Sequence, residues 1–184
     1  HLDLGGGLGV PYRDDNAPPP HPDAYAEVIK RRTKHLGAKL ILEPGRLLVA
    51  NAGILVTEVT YVKHGDGKHF IIVDAAMNDL MRPALYDAWH DIVAVNAAGA
   101  DARRYEIVGP VCESGDFLGR DRLLSIAEGD LLAVMSAGAY GMSMSSNYNS
   151  RARAAEIMID GDAMHLVRER ETIAQLFSNE HVMP

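Results

Sequence analysis

The residue pattern changes character at Arg46, and that change limits what the chain can fold into. Upstream of it, His1-Leu-Asp-Leu4 reads as the end of a buried strand and feeds directly into Gly5-Gly-Gly-Leu-Gly9. Pro18-Pro-Pro-His-Pro22 is a stiff connector. Pro22 suits the first position of a helix, with Asp23 and Glu27 in its first turns. Tyr25, Val28, Ile29 and Leu36 would form the apolar side of that helix. Lys39-Leu-Ile-Leu-Glu43 then reads as a short buried strand closed by Pro44-Gly45. Strand, loop, helix, strand is the grammar of a parallel α/β unit.

Beyond Arg46 the chain is β-rich. Residues 54–64 and 69–75 predict two strands separated by Gly65-Asp-Gly-Lys68, a hairpin signal with Asp66-Gly67 at the turn. Residues 92–96, 104–111, 130–136 and 152–159 predict further strands, Gly161-Asp162 marks another turn, and residues 168–177 predict a terminal helix. Short strands separated by turns, with few helices, imply a β-sandwich or barrel. The expected class is therefore α+β, with a division between residues 1–46 and residues 47–184. Because His1 already lies inside an element, upstream sequence is expected to be missing.

Bulk properties narrow the partners. A chain of 184 residues can form one ordinary domain, or a small domain plus part of another. With a net charge of −7, it has no electrostatic footprint for nucleic acid, and Lys30-Arg31-Arg32 reads as a solvated helix face. No apolar run approaches the roughly 20 residues of a membrane helix, and no signal peptide is visible. The single cysteine excludes an intramolecular disulfide and fits a reducing, cytoplasmic compartment. The eight histidines form neither an HExxH motif nor a zinc-spaced pair with cysteine, so no metal site is expected.

Five segments could carry chemistry. The first is Gly109-Pro-Val-Cys-Glu-Ser-Gly-Asp116, which holds the lone cysteine between glycines with carboxylates at Glu113 and Asp116. A thiol beside two anions should have a raised pKa, which suits a proton donor better than a standing nucleophile. A lone cysteine is more often a small buried hydrophobe, and the polar, glycine-bounded setting is what favours function here. The glycine run 5–9 could turn backbone N–H groups toward an anion, or form a plain tight turn; Val10 breaks the dinucleotide pattern and no Gly-Lys-Ser/Thr follows. Glu43-Pro-Gly-Arg46 places a carboxylate, a glycine and an arginine at a strand end, where a ligand or merely a surface ion pair would be met. In Met81-Arg-Pro-Ala-Leu-Tyr86, Pro83 biases Arg82 toward an extended loop conformation. Arg82 and Tyr86 could then bind a carboxylate by guanidinium fork and phenol, or be an exposed arginine beside a packed tyrosine. In the fifth, Gly138 and Gly141 leave the Tyr140 phenol room to project beyond a strand, and a bend around a packed aromatic is the alternative.

In this order, the five segments resemble the C-terminal part of the diaminopimelate decarboxylase family, a branch of the pyridoxal-phosphate decarboxylases built like alanine racemase and ornithine decarboxylase. The resemblance spans residues 1 to about 155. It implies that residues 1–46 are the last part of a TIM-type (β/α)8 barrel that binds pyridoxal 5'-phosphate, and that residues 47–184 are largely a β-domain. Gly7, Pro44, Gly45 and Arg46 would hold the cofactor phosphate, and Glu43 would pair with the pyridine nitrogen. Tyr140 would contact cofactor and substrate. Arg46, Arg82, Tyr86 and Glu113 would bind substrate, and Cys112 would supply a proton after carbon dioxide leaves. In this family Cys112 and Glu113 act in the partner subunit's site, so a homodimer with shared sites is implied.

The side chains add a reason for the substrate. Diaminopimelate carries an ammonium and a carboxylate at its distal end; Glu113 can answer the first, and Arg46, Arg82 and Tyr86 the second. Ornithine lacks the distal carboxylate, and ornithine decarboxylases resemble Cys-Asp rather than Cys-Glu at this motif. The other readings are a relative acting on ornithine, arginine or carboxynorspermidine, and a non-catalytic binding protein of the antizyme-inhibitor kind. The family's Schiff-base lysine and ring-stacking histidine lie upstream, and Lys30, Lys39 and Lys63 do not stand in the lysine motif. The chain is therefore expected to be a fragment that is inactive alone.

Overall fold

The structure is a computed structural model that describes residues 1–13, 18–95 and 101–183. Its first part is small. Strand β1 (Leu2–Asp3) pairs in parallel with β2 (Leu40–Ile41), through helix α1 (Pro22–Thr33), which fits the expected α/β unit. Pro22 opens α1, where His21 Nδ1 accepts from the Asp23 N–H at 3.4 Å. Lys30, Arg31 and Arg32 occupy the last turn, where cations complement the helix dipole. Ile29 is the buried member of the predicted apolar side, while Val28 and Leu36 stay about half exposed. The two strands are less buried than expected, since Leu2 and Leu40 are half-buried and Asp3 and Ile41 exposed.

Helix α2 (Arg46–Val49) and a 3-10 turn over Ala50–Ala52 lead into the second part. Its centre is a six-stranded sheet built from β3 (Leu55–His64), β4 (His69–Val73), β5 (Ile92–Ala94), β6 (Arg103–Val108), β7 (Phe117–Leu124) and β8 (Leu131–Val134), in the order β5-β8-β3-β4-β6-β7. The β4–β6 pair is parallel and the other four pairs are antiparallel. The ten-residue β3 serves two neighbours: residues 55–58 pair with β8, and a register shift between Val59 and Tyr61 then turns the strand onto β4. Such an irregularity bends a strand and raises its twist. The sheet curls until its edges nearly meet, and a Cβ on Gly119 of β7 would lie only 2.7 Å from Ile92 Cδ1 of β5. The result is barrel-like. Alternating residues of the strands fill the interior, including Val59, Ile71, Val73, Ile107, Leu118, Leu132 and Val134. Each such side chain contributes roughly 1.5–3 kcal/mol on leaving water.

The hairpin over β3 and β4 forms as predicted, with Gly67 at φ +81. Of the predicted strand 92–96, the last residue lies outside the described residues. Two expectations are corrected and one strand is added. Strand β7 was not predicted, because Gly119-Arg-Asp-Arg122 hides its pattern; the cations pack their flat faces instead, Arg120 over Phe117 at 3.6 Å and Arg122 over Trp89 at 3.1 Å. The terminal helix over 168–177 shrinks to Ile173–Leu176, because Arg168 ends a strand of the hairpin β9 (Glu156–Asp160) and β10 (Ala163–Arg168). Glu171 is then held in extended chain by Arg153, which donates from Nε at 2.9 Å and from its terminal nitrogen at 2.6 Å. Last, Arg82 is not in an extended loop. It opens the short helix α3 (Arg82–Tyr86), because Pro83 sits within the first turn, where its missing N–H costs nothing.

Candidate active site

Because β1 and β2 are parallel, the loops that follow them emerge at the same end of the pair, as ligand-facing loops do in α/β folds. The Glu43 N–H donates to the Gly5 carbonyl at 2.8 Å and ties the two loops together. At Gly6 a Cβ would lie 2.5 Å from the Glu43 carbonyl oxygen, so no larger residue fits. Gly7 has φ +96, and nothing stands within 4 Å of where a Cβ would project at Gly7 or Gly45. Backbone is therefore accessible there, beside the exposed Glu43 and Pro44 and the half-buried Arg46. Open backbone amides suit an anion, and an adjacent free carboxylate suits a protonated ring nitrogen.

Helix α2 carries this loop to the next group. The Gly138 N–H donates to the Ala50 carbonyl at 3.0 Å, and the Ala137 N–H donates to the Gly53 carbonyl at 2.8 Å. A Cβ on Gly138 would collide with the Val49 carbonyl oxygen and come within 2.9 Å of the Gly53 nitrogen. The turn bearing Tyr140 is thus docked directly on the segment that continues from Glu43-Pro-Gly-Arg46. Tyr140 takes φ +64, a conformation unusual for a bulky residue, and its side chain stays partly exposed.

Arg82 meets Tyr140 here. Its guanidinium carbon lies 5.8 Å from the Tyr140 ring centroid and 4.7 Å from that of Tyr12. The arginine is buried, contrary to the exposed alternative. Its terminal nitrogen lies 3.2 Å from His90 Nε2, and the His90 ring meets Tyr12 edge-on at 5.0 Å. His90 is fully buried, and burial pushes its pKa down; the Met135 carbonyl opposes this, while Arg82 and Arg122 add to it. Tyr86 is different: it is 62% exposed at the far end of α3, so the structure does not gather it with Arg82 and Tyr140.

Cys112 and Glu113 lie on the exposed loop between β6 and β7. The expectation of a thiol flanked by two anions needs correcting, because Asp116 is buried and engaged elsewhere. Its carboxylate accepts the Met77 N–H at 2.7 Å and the Val111 N–H at 2.8 Å, and Gly109 has no room for a Cβ against it. Desolvation raises the Asp116 pKa, against the pull of those two N–H groups. Glu113 instead accepts from the Tyr148 hydroxyl at 3.2 Å and from the Gly115 N–H at 3.2 Å. Among the described residues, no hydrogen bond or ring contact joins Cys112 or Glu113 to Arg82 or Tyr140. Sequence reasoning missed Tyr12, His90 and Tyr148. A lone aromatic in a polar run and a histidine ahead of a short strand carry no spacing signal, and their partners are remote in sequence apart from the His90–Arg82 pair, eight residues apart.

Comparison with known proteins places this arrangement. Residues 15–138 match the family described as "Pyridoxal-dependent decarboxylase, C-terminal sheet domain". The chain is 58% identical over 184 residues to the diaminopimelate decarboxylase of Pseudomonas aeruginosa, covering 100% of this chain and 44% of that protein. It is 56% identical over 185 residues to the diaminopimelate decarboxylase of Vibrio cholerae, with the same coverage of 100% and 44%. Among solved structures, the M. jannaschii diaminopimelate decarboxylase in co-complex with L-lysine superposes with a TM-score of 0.93 at 41% identity, covering 99% of this chain and 43% of that one. A lysine/ornithine decarboxylase of Vibrio vulnificus, 24% identical with a TM-score of 0.70 over 83% of this chain and 41% of that one, shares the fold. The chain thus spans about 44% of the length of the curated relatives it matches. With its barrel-like sheet, its paired glycine and Glu-Pro-Gly-Arg loops and its match over residues 15–138, the chain belongs to the pyridoxal-dependent decarboxylases and carries their C-terminal sheet domain.

Proposed function

We propose that the protein carrying this chain decarboxylates meso-diaminopimelate to L-lysine and carbon dioxide with pyridoxal 5'-phosphate. The observation that carries this reading is the docking of the Tyr140 turn, through Gly138, onto the helix that begins at Arg46. It brings the glycine loop, Glu43, Arg46, Tyr140 and Arg82 into one neighbourhood. The relatives at 56–58% identity, all diaminopimelate decarboxylases, support the substrate. In this reading residues 1–46 are the closing part of the cofactor-binding barrel, and residues 47–184 form the β-domain.

The chain's own groups fit the cofactor. Gly7, Gly45 and Arg46 have backbone N–H groups for a phosphate, with open space where a Cβ would project at either glycine, and Pro44, which has no N–H, lines the loop beside them. Glu43 accepts from the protonated ring nitrogen and keeps its positive charge. When bound, the cofactor supplies an electron sink for the pair released as carbon dioxide departs. Tyr140 packs against cofactor and substrate. Arg46 and Arg82 bind the distal carboxylate of the substrate, their guanidinium groups forming charge-assisted hydrogen bonds, while the exposed Tyr86 stands apart from this pair. Glu113 pairs with the distal ammonium. The Cys112 thiol donates its proton to the carbon that has lost carbon dioxide, leaving a thiolate that solvent reprotonates. That no hydrogen bond or ring contact among the described residues joins Cys112 or Glu113 to Arg82 or Tyr140 is consistent with a homodimer in which each loop completes the partner's site. The lysine that carries the cofactor lies outside these 184 residues in this reading, and the chain alone does not turn over. We place the protein in the cytoplasm, consistent with its lone free cysteine.

Carbon dioxide release by the full-length gene product from meso-diaminopimelate, ornithine, arginine and carboxynorspermidine tests the substrate. Preferential turnover of meso-diaminopimelate is expected. Comparable or faster turnover of another substrate moves the protein to a neighbouring activity, and no turnover makes it a binding protein. Borohydride reduction of the 184-residue chain with pyridoxal phosphate should leave no specific lysine adduct. A stoichiometric adduct would overturn the placement of that lysine.

A further inference from the structure

We infer that His90 is a positioning residue for Arg82, holding its guanidinium ready for the distal carboxylate of the substrate. The inference rests on the substrate role of Arg82 given above. The chemistry of the two neighbours fixes the imidazole. A carbonyl oxygen can only accept, so the 2.8 Å contact from Nδ1 to the Met135 carbonyl places the ring proton on Nδ1. A guanidinium can only donate, so the 3.2 Å contact from Arg82 to Nε2 requires a lone pair there. Both contacts are satisfied together only by the neutral Nδ1–H tautomer. His90 is thus a fixed acceptor aimed at one guanidinium nitrogen, and it leaves the other N–H groups of Arg82 for a ligand.

The surroundings hold the acceptor still. His90 and Arg82 are 0% and 8% exposed. Arg122 donates to the His90 carbonyl at 2.7 Å and lies flat on the Trp89 ring, so the backbone of this pair is braced from β7. The Tyr12 ring covers both partners, edge-on to His90 and facing the guanidinium. An arginine side chain has several rotatable bonds, and orienting it before substrate arrives removes an entropic cost from binding.

The test is steady-state kinetics of the full-length holoenzyme with His90→Asn, His90→Gln and Arg82→Lys. Asparagine can keep a donor near Nδ1 but cannot reach Arg82, while glutamine can place an amide oxygen near the Nε2 position. His90→Asn should raise KM for meso-diaminopimelate about tenfold with kcat held within about threefold, and His90→Gln should recover most of that loss. Inhibition by L-lysine, which keeps the carboxylate, should weaken in parallel, while inhibition by cadaverine, which lacks it, should not change. If Arg82→Lys raises KM but both His90 variants bind substrate like the parent, the positioning role is overturned and the substrate role stands. If Arg82→Lys leaves KM unchanged, both fall. Equal loss of kcat and cofactor occupancy in the two His90 variants, with KM and the lysine-to-cadaverine ratio unmoved, marks a purely structural histidine and also overturns the inference.

Discussion

The Tyr148 hydroxyl donates to Glu113 Oε2 at 3.2 Å, across 35 residues of sequence, and so orients a carboxylate that is otherwise exposed. Hydrogen bonding to Glu113, together with its charge, raises the Tyr148 pKa and keeps the phenol protonated. Tyr148→Phe in the full-length enzyme should therefore raise KM about threefold to tenfold with little change in kcat, the effect of losing one exposed hydrogen bond of ordinary net strength. An unchanged KM would show that Glu113 needs no such support.

Cys112 and Asp116 should separate chemistry from scaffolding. Cys112→Ala removes an exposed thiol, so stability should move by no more than about 0.5 kcal/mol, while kcat falls by about a hundredfold or more with loss of the proton donor. Cofactor absorbance should be nearly unaffected. Asp116→Ala should do the reverse first, costing about 2–4 kcal/mol because the Met77 and Val111 N–H groups lose their acceptor. Denaturant titration beside kinetics distinguishes the two.

Gly138→Ala should destabilise by about 2 kcal/mol or more, since the added methyl meets the backbone of Val49 and Gly53 rather than a movable side chain. Because the same contact seats the Tyr140 turn, cofactor retention during gel filtration should fall with it. Gly7→Ala is a useful contrast: no atom stands in the way, and the cost arises from φ +96 alone.

His90 predicts a pH dependence of stability with a definite sign. Its folded pKa is pushed below the ordinary 6.5, first by burial, so the unfolded chain takes up a proton at a pH where the folded chain does not. Its contribution is therefore full above about pH 6.5 and declines as the pH falls from there toward the lowered folded value. His90→Gln, which cannot titrate, should flatten the thermal midpoint between pH 5 and 7. Asp79 and Asp116 work oppositely at lower pH: burial raises both above 3.8, so the unfavourable effect of their ionisation grows as pH rises through the raised values.

Local patterning in the sequence reveals much of this fold. The β1–α1–β2 unit, the Gly65–Lys68 hairpin and most strands of the sheet follow from turn residues and apolar runs, because those signals act over a few residues. Strand β7 does not, because Arg120 and Arg122 read as surface charges until Phe117 and Trp89 are seen to accept their flat faces. The expected terminal helix is too long because residues 169–171 are helix-compatible, and the remote Arg153 and Asn147 draw Glu171 out. In the site, the glycines, Glu43, Arg46, Arg82, Cys112, Glu113 and Tyr140 stand in short motifs. Tyr12, His90 and Tyr148 act through long-range packing, which no local spacing encodes.

Asp116 anchors the Cys112 loop to the body of the domain from below, while Cys112 and Glu113 ride on its outer rim. Shape and chemistry are thereby assigned to different residues of one eight-residue stretch. A descendant could shorten Glu113 to aspartate, or neutralise it as glutamine of the same length, without loosening the carboxylate clamp on Met77 and Val111. Substrate preference on this scaffold can therefore drift by single steps at a solvent-facing position, with the fold paying no attention.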